Sequence, residues 1–438
     1  MISQRFQAPV VLPMDPEGSV LRDAVVDVDD AGRVAYCGPA ATAPRVADAR
    51  SLRLTGILIP GLVNTHAHSA MTSLRGMGGD LPLTSWLNDV IWPAEGRMRP
   101  SDAGSGMRLG CIEMLQSGIT TSAEMYFHPE VLVEAALEVG NRLLVAPAFL
   151  DAPGSRWRDT LASIDKWIDA DGLRFGPNDR IEIAYGPHSA YMLAPEALEA
   201  TAESAMARGA LVHIHIAESR GEDHEVRSAY GSVPRLLNRV GLLDGRLLAA
   251  HAVHLSPQDI DLFAHAGTGV AHCPGSNAKL ASGVAPLAEL RAASVPVGLG
   301  TDGPASNDDL DLWEEMRLAA MFSRLAADDA MALTAKDTLL MATRGGAAAL
   351  GRTDIGSLEP GKWADMVHIN VDGPQFAVGL DIPDTRLLST LVWAAGSRAV
   401  SDVWVGGERV VTKGEPARVD RFAVQRSVAE SAKYLNTA

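Results

Sequence analysis

Two histidine pairs, each with a spacing of two residues, lie in or beside apolar runs of the sequence. His66 and His68 occur in IPGLVNTHAHSAM, and His213 and His215 occur in LVHIHIAES. Residues two apart on an extended strand point to the same face, so each pair could present two imidazoles to one metal ion. The first pair could instead be ordinary histidines at a strand end. Because His215 lies nearer the carboxyl end of its strand, we predict it as a ligand and His213 as a core residue one layer deeper.

Three further chemical groups follow apolar runs in the middle of the chain. Glu218 comes three residues after His215, His251 stands in LLAAHAVHL, and Asp302 follows VPVGLG. Taken alone, Asp302 could be the N-cap of a helix predicted from residue 308. That explanation does not account for histidines and acids at the ends of four separate predicted strands. The carboxyl ends of the strands form the active-site face of a parallel α/β barrel, so we expect these groups to meet there.

Imidazole nitrogens and a carboxylate are ligands that suit zinc and, less often, iron or manganese. We therefore predict a centre for one divalent ion, held by four side chains that we call the ligand cluster: His66, His68, His215 and Asp302. Its open position would hold a water molecule, whose pKa the metal would lower to about 7. We predict that His251 and Asp302 take the proton of this water and that Glu218 is the general acid toward a leaving nitrogen.

The elements that position these residues alternate between apolar, strand-like runs and amphipathic, helix-like stretches, which predicts a parallel sheet in an α/β fold. The segment from His66 to Gly351 is close in length to the roughly 250 residues that are typical of a TIM-type (β/α)8 barrel. A doubly wound open sheet is the alternative, although no glycine-rich phosphate-binding fingerprint follows the first strand. The predicted strands are Ile57–Leu62, Leu143–Phe149, Ile181–Tyr185, Leu211–Ile216, Leu247–His251, Gly269–His272 and Val295–Leu299.

Both ends of the chain carry a hairpin pattern, two β-rich runs around a polar or glycine turn, at residues 24–38 and 401–412. We predict that the ends join in one small β-sandwich domain made of residues 1–60 and 356–418. The catalytic barrel would then span residues 61–355. Residues 419–438 are predicted to form a C-terminal helix.

The composition excludes some classes of partner. The chain has 438 residues, with 38 Lys and Arg against 54 Asp and Glu, a net charge of −16. Such an acidic chain lacks the basic excess that neutralises nucleic-acid phosphates. We find no signal-peptide pattern and no apolar run of the ~18 residues that would span a membrane. Three widely spaced cysteines fit a reducing cytoplasm, where we expect the protein, and the sequence is compatible with a homo-oligomer.

The motifs PGLVNTHAH, HIHIAE, AAHAVHL and GTDG resemble those of the amidohydrolase superfamily. The chain is most similar to the 5-methylthioadenosine/S-adenosylhomocysteine deaminases, through RGMGGDLPLTSWLNDVIWPAEGRM, YGPHSAY, HCPGSNAKLASG and TDGPASNDDLDLWEEMR. The resemblance covers nearly the whole chain, including the terminal β domain. It implies a metal-dependent deaminase that hydrolyses the C6–amine bond of an adenine nucleoside.

The resemblance also implies substrate contacts. Trp86 would pack against the substrate, Glu95 would accept hydrogen bonds from the ribose 2′- and 3′-hydroxyls, and His188 would contact the bound nucleoside. From the residues alone, Trp86 could equally be helix core and Glu95 could be solvated. Arg156 and Arg158 stand where the family binds a substrate carboxylate, but no motif aligns them. The 5′ group therefore stays open among methylthioadenosine, S-adenosylhomocysteine, adenosine and 5′-deoxyadenosine.

The family resemblance also bears on the number of metal ions per chain, and other activities remain as alternatives to nucleoside deamination. Two-metal relatives use a carboxylated lysine on a middle strand, and between His68 and His215 the single lysine, Lys166, lies in a helical pattern. We therefore expect one ion per chain. The alternative activity is deamination or hydrolysis of a free heterocycle, such as an oxidised guanine or a triazine, or of a cyclic amide. A non-catalytic scaffold is the remote alternative, and it would be expected to lack metal ligands.

Overall fold

Parallel strands and helices alternate through the middle of the chain in the computed structural model, which describes residues 1–151, 156–221 and 224–436. The main strands are Leu62–Ala67, Ile119–Tyr126, Arg142–Phe149, Ile181–Ile183, Leu211–Ile216, Arg246–His251, Gly269–His272 and Val297–Leu299, with short ones at Arg174–Phe175 and Gly186–Pro187. Nearly every residue of the eight main strands is buried. Burial on both faces explains why they read as continuous apolar runs.

These eight strands form two hydrogen-bonded groups. The first four lie side by side in chain order, and the last four do the same. Parallel bridges join the groups at both seams, Tyr185 with Val212 and Ala67 with Asp302. The result is an α/β arrangement of the TIM-barrel type, in which the carboxyl ends of the strands share one face.

The helices begin where the sequence supplies proline or a capping residue. Proline stands in the first turn of many of them, as at Pro100, Pro129 and Pro195, where its missing N–H costs nothing. Within the described ranges, no helix is long and apolar enough to cross a bilayer. The longer helices are Pro100–Gln116, Pro129–Val139, Trp157–Asp171, Pro195–Arg208, Pro257–Ala266, Leu312–Ala327 and Arg421–Leu435, and the shorter ones include Trp92–Glu95, His224–Tyr230, Val233–Arg239, Pro274–Lys279, Leu287–Ala292, Ala335–Leu340, Gly346–Ala349 and Asp384–Ser389.

The two chain ends meet in one sheet of nine strands. Residues of the first strand pair with those of the strand before the barrel, as in Val10 with Ile57, and that strand pairs in turn with the C-terminal part through Pro60 and Met366. Here the strands are linked in one continuous sheet, so the two-layer sandwich and the exact domain division stay predictions. The strands are Ile2–Val11, Leu21–Asp29, Val34–Pro39, Arg50–Arg53, Ile57–Pro60, Met366–Ile369, Val400–Val405, Glu408–Thr412 and Glu415–Pro416.

One sequence prediction about strands was wrong, and one strand was not predicted. The run Ile57–Leu62 is two elements, since Ile57–Pro60 belongs to the terminal sheet and Leu62–Ala67 opens the barrel. Gly61 separates them, and His66 lies inside the first barrel strand. The strand Ile119–Tyr126 was not predicted, because polar threonine, serine and glutamate side chains interrupt its apolar pattern.

Candidate active site

The four side chains of the ligand cluster converge at the carboxyl face of the barrel. His66 Nε2 lies 3.4 Å from Asp302 Oδ1, and His68 Nε2 lies 3.3 Å from the same oxygen. His215 Nε2 is 3.3 Å from His68 Nε2. These side chains lie in or just after three strands that are far apart in sequence.

Two of these histidines are oriented by main-chain carbonyls. His68 Nδ1 lies 2.5 Å from the carbonyl oxygen of Met125, and His215 Nδ1 lies 2.8 Å from that of His188. A carbonyl oxygen only accepts hydrogen bonds, so each Nδ1 carries the proton and each Nε2 presents a lone pair to the cluster. This is the second-layer arrangement that orients metal-binding histidines in proteins.

His66 is oriented differently, by another histidine. His66 Nδ1 lies 2.8 Å from His213 Nε2, and both side chains are fully buried. Burial lowers the pKa of His66 to about 4, which keeps its ring neutral. Its Nε2 is buried and has no hydrogen-bond partner among the described residues. An unpartnered imidazole nitrogen facing two other imidazoles and a carboxylate fits a divalent metal ion.

Asp302 is oriented by Ser276 and does not cap the helix that follows it. Its Oδ2 accepts a hydrogen bond from Ser276 Oγ at 2.6 Å, which leaves Oδ1 toward the histidines. Burial acts to raise its pKa, but the neighbouring imidazoles of His66, His251 and His68 outweigh burial and hold the pKa well below the usual value. The following helix, Leu312–Ala327, is capped by Asp311, so the capping explanation of Asp302 is wrong.

Glu218 and His251 stand beside the cluster. His251 Nε2 lies 3.8 Å from Glu218 Oε2, and His251 Nδ1 lies 3.0 Å from Asn277 Oδ1. Burial, and after it the charge of Asp302, raises the pKa of Glu218 to about 8. A carboxyl group that titrates near neutral pH can both give and take a proton at this place.

A cavity opens over these groups, and its lining is largely apolar with a few polar side chains, as is usual for small-molecule sites. Trp86 and His188 form parts of its wall, while their contacts with a substrate stay a prediction. Trp86 donates to the carbonyl of Met77 at 3.2 Å, and the His188 ring lies 4.6 Å from that of His215.

Glu95 lies in the same wall and has a partner that sequence reasoning missed. Tyr126 donates its hydroxyl hydrogen bond to Glu95 Oε1 at 2.7 Å. Burial raises the pKa of Glu95, while the bond from Tyr126 acts in the opposite direction. Tyr126 ends the strand that was not predicted, and this contact could not be read from the sequence.

Arg156 is not brought to the cavity. Its side chain is 83% exposed and pairs with Asp159 at 3.6 Å, while Arg158 pairs with Glu196 at 2.6 Å. Both arginines lie at the start of the exposed helix Trp157–Asp171, where solvation and local acids satisfy them. The predicted carboxylate contact through Arg156 therefore has no counterpart among the residues that line the cavity.

The profile of the Amidohydrolase family matches residues 57–410. The chain belongs to this amidohydrolase family. A 5-methylthioadenosine/S-adenosylhomocysteine deaminase from Pelotomaculum thermopropionicum is 39% identical to it, over 98% of each chain. The solved adenosine deaminase from Xanthomonas campestris with bound zinc has a TM-score of 0.92 and 36% identity, covering 100% of this amidohydrolase and 99% of that chain.

A further structural relative acts on a different compound. The atrazine chlorohydrolase of Arthrobacter aurescens, solved with zinc, has a TM-score of 0.88 and 27% identity, covering 98% of this amidohydrolase and 99% of that chain. These similarities confirm the family, the hydrolase class and the TIM-type fold predicted from the sequence. Together with the histidine-rich cluster, they support a divalent metal centre.

Proposed function

We propose that this amidohydrolase deaminates an adenine nucleoside, replacing the C6 amine by oxygen and releasing ammonia. One observation carries the proposal: a single cavity joins the ligand cluster and Glu218 to the Tyr126-anchored carboxylate of Glu95. The first set of groups can perform hydrolysis, and the second can recognise ribose. The deaminase activities of the similar proteins support the same reaction.

The ligand cluster would hold one divalent cation, for which we propose zinc. The supporting observations are its nitrogen and oxygen donor set, the orphaned Nε2 of His66 and the position of Lys166 within a helix rather than a strand. When bound, such a cation acts as a Lewis acid that lowers the pKa of water toward neutrality.

The remaining steps belong to the side chains of this chain. Hydrolysis adds water oxygen to C6, and the aromatic ring accepts that addition when N1 gains a proton. Glu218 is the proposed donor to N1 and, in its second use, to the leaving amine. His251, 3.8 Å from Glu218, is the proposed acceptor of the proton released from water. Glu218, having given its proton to N1, takes the second proton of water from the C6 hydroxyl and passes it to the amine, so that the C6–N bond breaks and ammonia leaves. The proton held by His251 then returns to Glu218.

Glu95 would bind the ribose hydroxyls with the oxygen that Tyr126 does not occupy. A carboxylate buried in the wall of a cavity costs free energy unless it is hydrogen-bonded, so a substrate that supplies hydroxyl donors is favoured. Trp86 and His188 complete the wall around the nucleoside in this proposal.

A panel of substrates tests the assignment. Ammonia release would be measured for adenosine, 5′-methylthioadenosine, 5′-deoxyadenosine and S-adenosylhomocysteine, beside adenine, guanine and a triazine. We expect the highest kcat/KM among the nucleosides. The second candidate, hydrolysis of a free heterocycle, is favoured by the similarity to the atrazine chlorohydrolase, and a preference for a bare ring would establish it instead.

A further inference from the structure

The three histidines of the ligand cluster differ in what accepts their Nδ1 protons. His68 and His215 donate to main-chain carbonyl oxygens. His66 depends on the side chain of His213, which lies on another strand, 147 residues away in sequence. His66 is thus the one cluster histidine whose orientation a single side-chain substitution can remove.

The proton positions follow from the geometry. His66 can offer its Nε2 lone pair to a cation as a neutral ring when its proton is on Nδ1. The 2.8 Å contact then has His66 Nδ1 as the donor and His213 Nε2 as the acceptor. This places the proton of His213 on its own Nδ1, a buried atom with no hydrogen-bond partner among the residues described. His213 therefore accepts the hydrogen bond from His66 while its own Nδ1–H has no acceptor among the described residues.

We infer that His213 is a positioning residue: it fixes the Nδ1–H tautomer and ring orientation of His66, and so sets the affinity of the ligand cluster for its cation. The sequence placed His213 in the core, where an apolar side chain of similar size would serve for packing alone. Its burial at 0% exposure agrees with that placement, but the hydrogen bond gives it a role that packing does not require. The inference concerns the metal site of the proposed function and does not depend on the identity of the substrate.

The test is a zinc titration of the metal-free protein against a competing chelator, without turnover. Outer-layer partners of metal-binding histidines are worth about 10- to 100-fold in affinity. We expect His213→Leu, which removes the acceptor, to weaken zinc binding by that factor. His213→Gln, whose side-chain oxygen can reach the place of Nε2, should stay within about 3-fold of the wild type.

A matched control is His272→Leu, which removes another buried histidine at a strand end, one that makes no hydrogen bond to a cluster residue among the described contacts. It should leave zinc affinity unchanged. If His213→Leu does not fold, His213→Asn replaces it, because the shorter amide cannot reach His66. The inference is overturned if the variant without an acceptor binds zinc as the wild type does, or if His213→Gln is as weak as that variant. Because zinc binding is read directly, a failure of the nucleoside assignment would leave this result interpretable.

Discussion

The pair formed by Glu95 and Tyr126 gives the sharpest prediction about substrate recognition. Tyr126 fixes one carboxylate oxygen of Glu95 at 2.7 Å, and the proposed function assigns the other to ribose hydroxyls. Replacing Glu95 by alanine should therefore lower kcat/KM for adenosine. It should leave a substrate without ribose hydroxyls, 2′,3′-dideoxyadenosine, nearly unaffected.

The magnitude follows from the charge of the acceptor. Hydrogen bonds to a charged group contribute about 1.5–3 kcal/mol, and each 1.4 kcal/mol is a factor of ten in kcat/KM. Glu95→Ala should thus cost adenosine at least ~10-fold. Tyr126→Phe keeps the Glu95 carboxylate but no longer fixes its orientation. This variant should therefore also lower kcat/KM for adenosine, but by a smaller factor.

The same pair predicts a dependence on pH. Burial raises the pKa of Glu95, and the hydrogen bond from Tyr126 lowers it, since a hydroxyl donor stabilises the charged form. Without that donor the pKa of Glu95 rises further. As the solution is acidified, Glu95 therefore becomes protonated at a higher pH than in the wild type. The acid limb of kcat/KM for adenosine should therefore move to higher pH in Tyr126→Phe.

The assay is ammonia release with both nucleosides, measured for the wild type and the two variants across pH. The informative quantity is the ratio of kcat/KM for adenosine to that for the dideoxynucleoside, because a general loss of folding or of metal cancels from it. The reasoning is refuted if Glu95→Ala lowers kcat/KM equally for both nucleosides, so that their ratio stays at its wild-type value.

Three further outcomes are expected. Glu218→Gln should keep its metal, by elemental analysis, yet lose at least ~10²-fold in kcat, the usual contribution of a positioned acid–base group; near-normal turnover would show that it is not the proton donor. Alanine at any position of the ligand cluster should abolish binding of one zinc ion per chain, and two ions in metal-replete wild type would contradict the single centre. The cavity lining is largely apolar and includes three carboxyl groups. We therefore expect kcat/KM to be at least ~10-fold higher for 5′-methylthioadenosine than for S-adenosylhomocysteine, and equal values would contradict this.

Local patterns in the sequence were sufficient to predict the barrel framework. Strands buried on both faces read as apolar runs, and proline and capping residues mark where helices begin. Those signals act over a few residues, so they predicted the alternation of elements and the hairpins at both ends. The strand Ile119–Tyr126 was missed because polar side chains interrupt its apolar pattern, and the one that carries a charge, Glu124, accepts hydrogen bonds from Ser69, 55 residues away in sequence.

The sequence also indicated which residue types could form a metal centre, since His66, His68, His215 and Asp302 each lie at or near a strand end. The tertiary structure alone brought His66 and His68 within 3.4 Å of Asp302, and His215 within 3.3 Å of His68.

What the sequence could not give were contacts between side chains on elements far apart in the chain. Tyr126 reaches Glu95 across 31 residues, and His66 reaches His213 across 147. Neither pair has a local spacing rule, because its geometry is set by how whole strands and helices pack. Arg156 shows the converse: its sequence position favoured the site, but an exposed arginine paired with Asp159 stays in solvent. Residue type and strand order were thus determined locally, whereas the partner of each functional group was decided by the packing of the barrel.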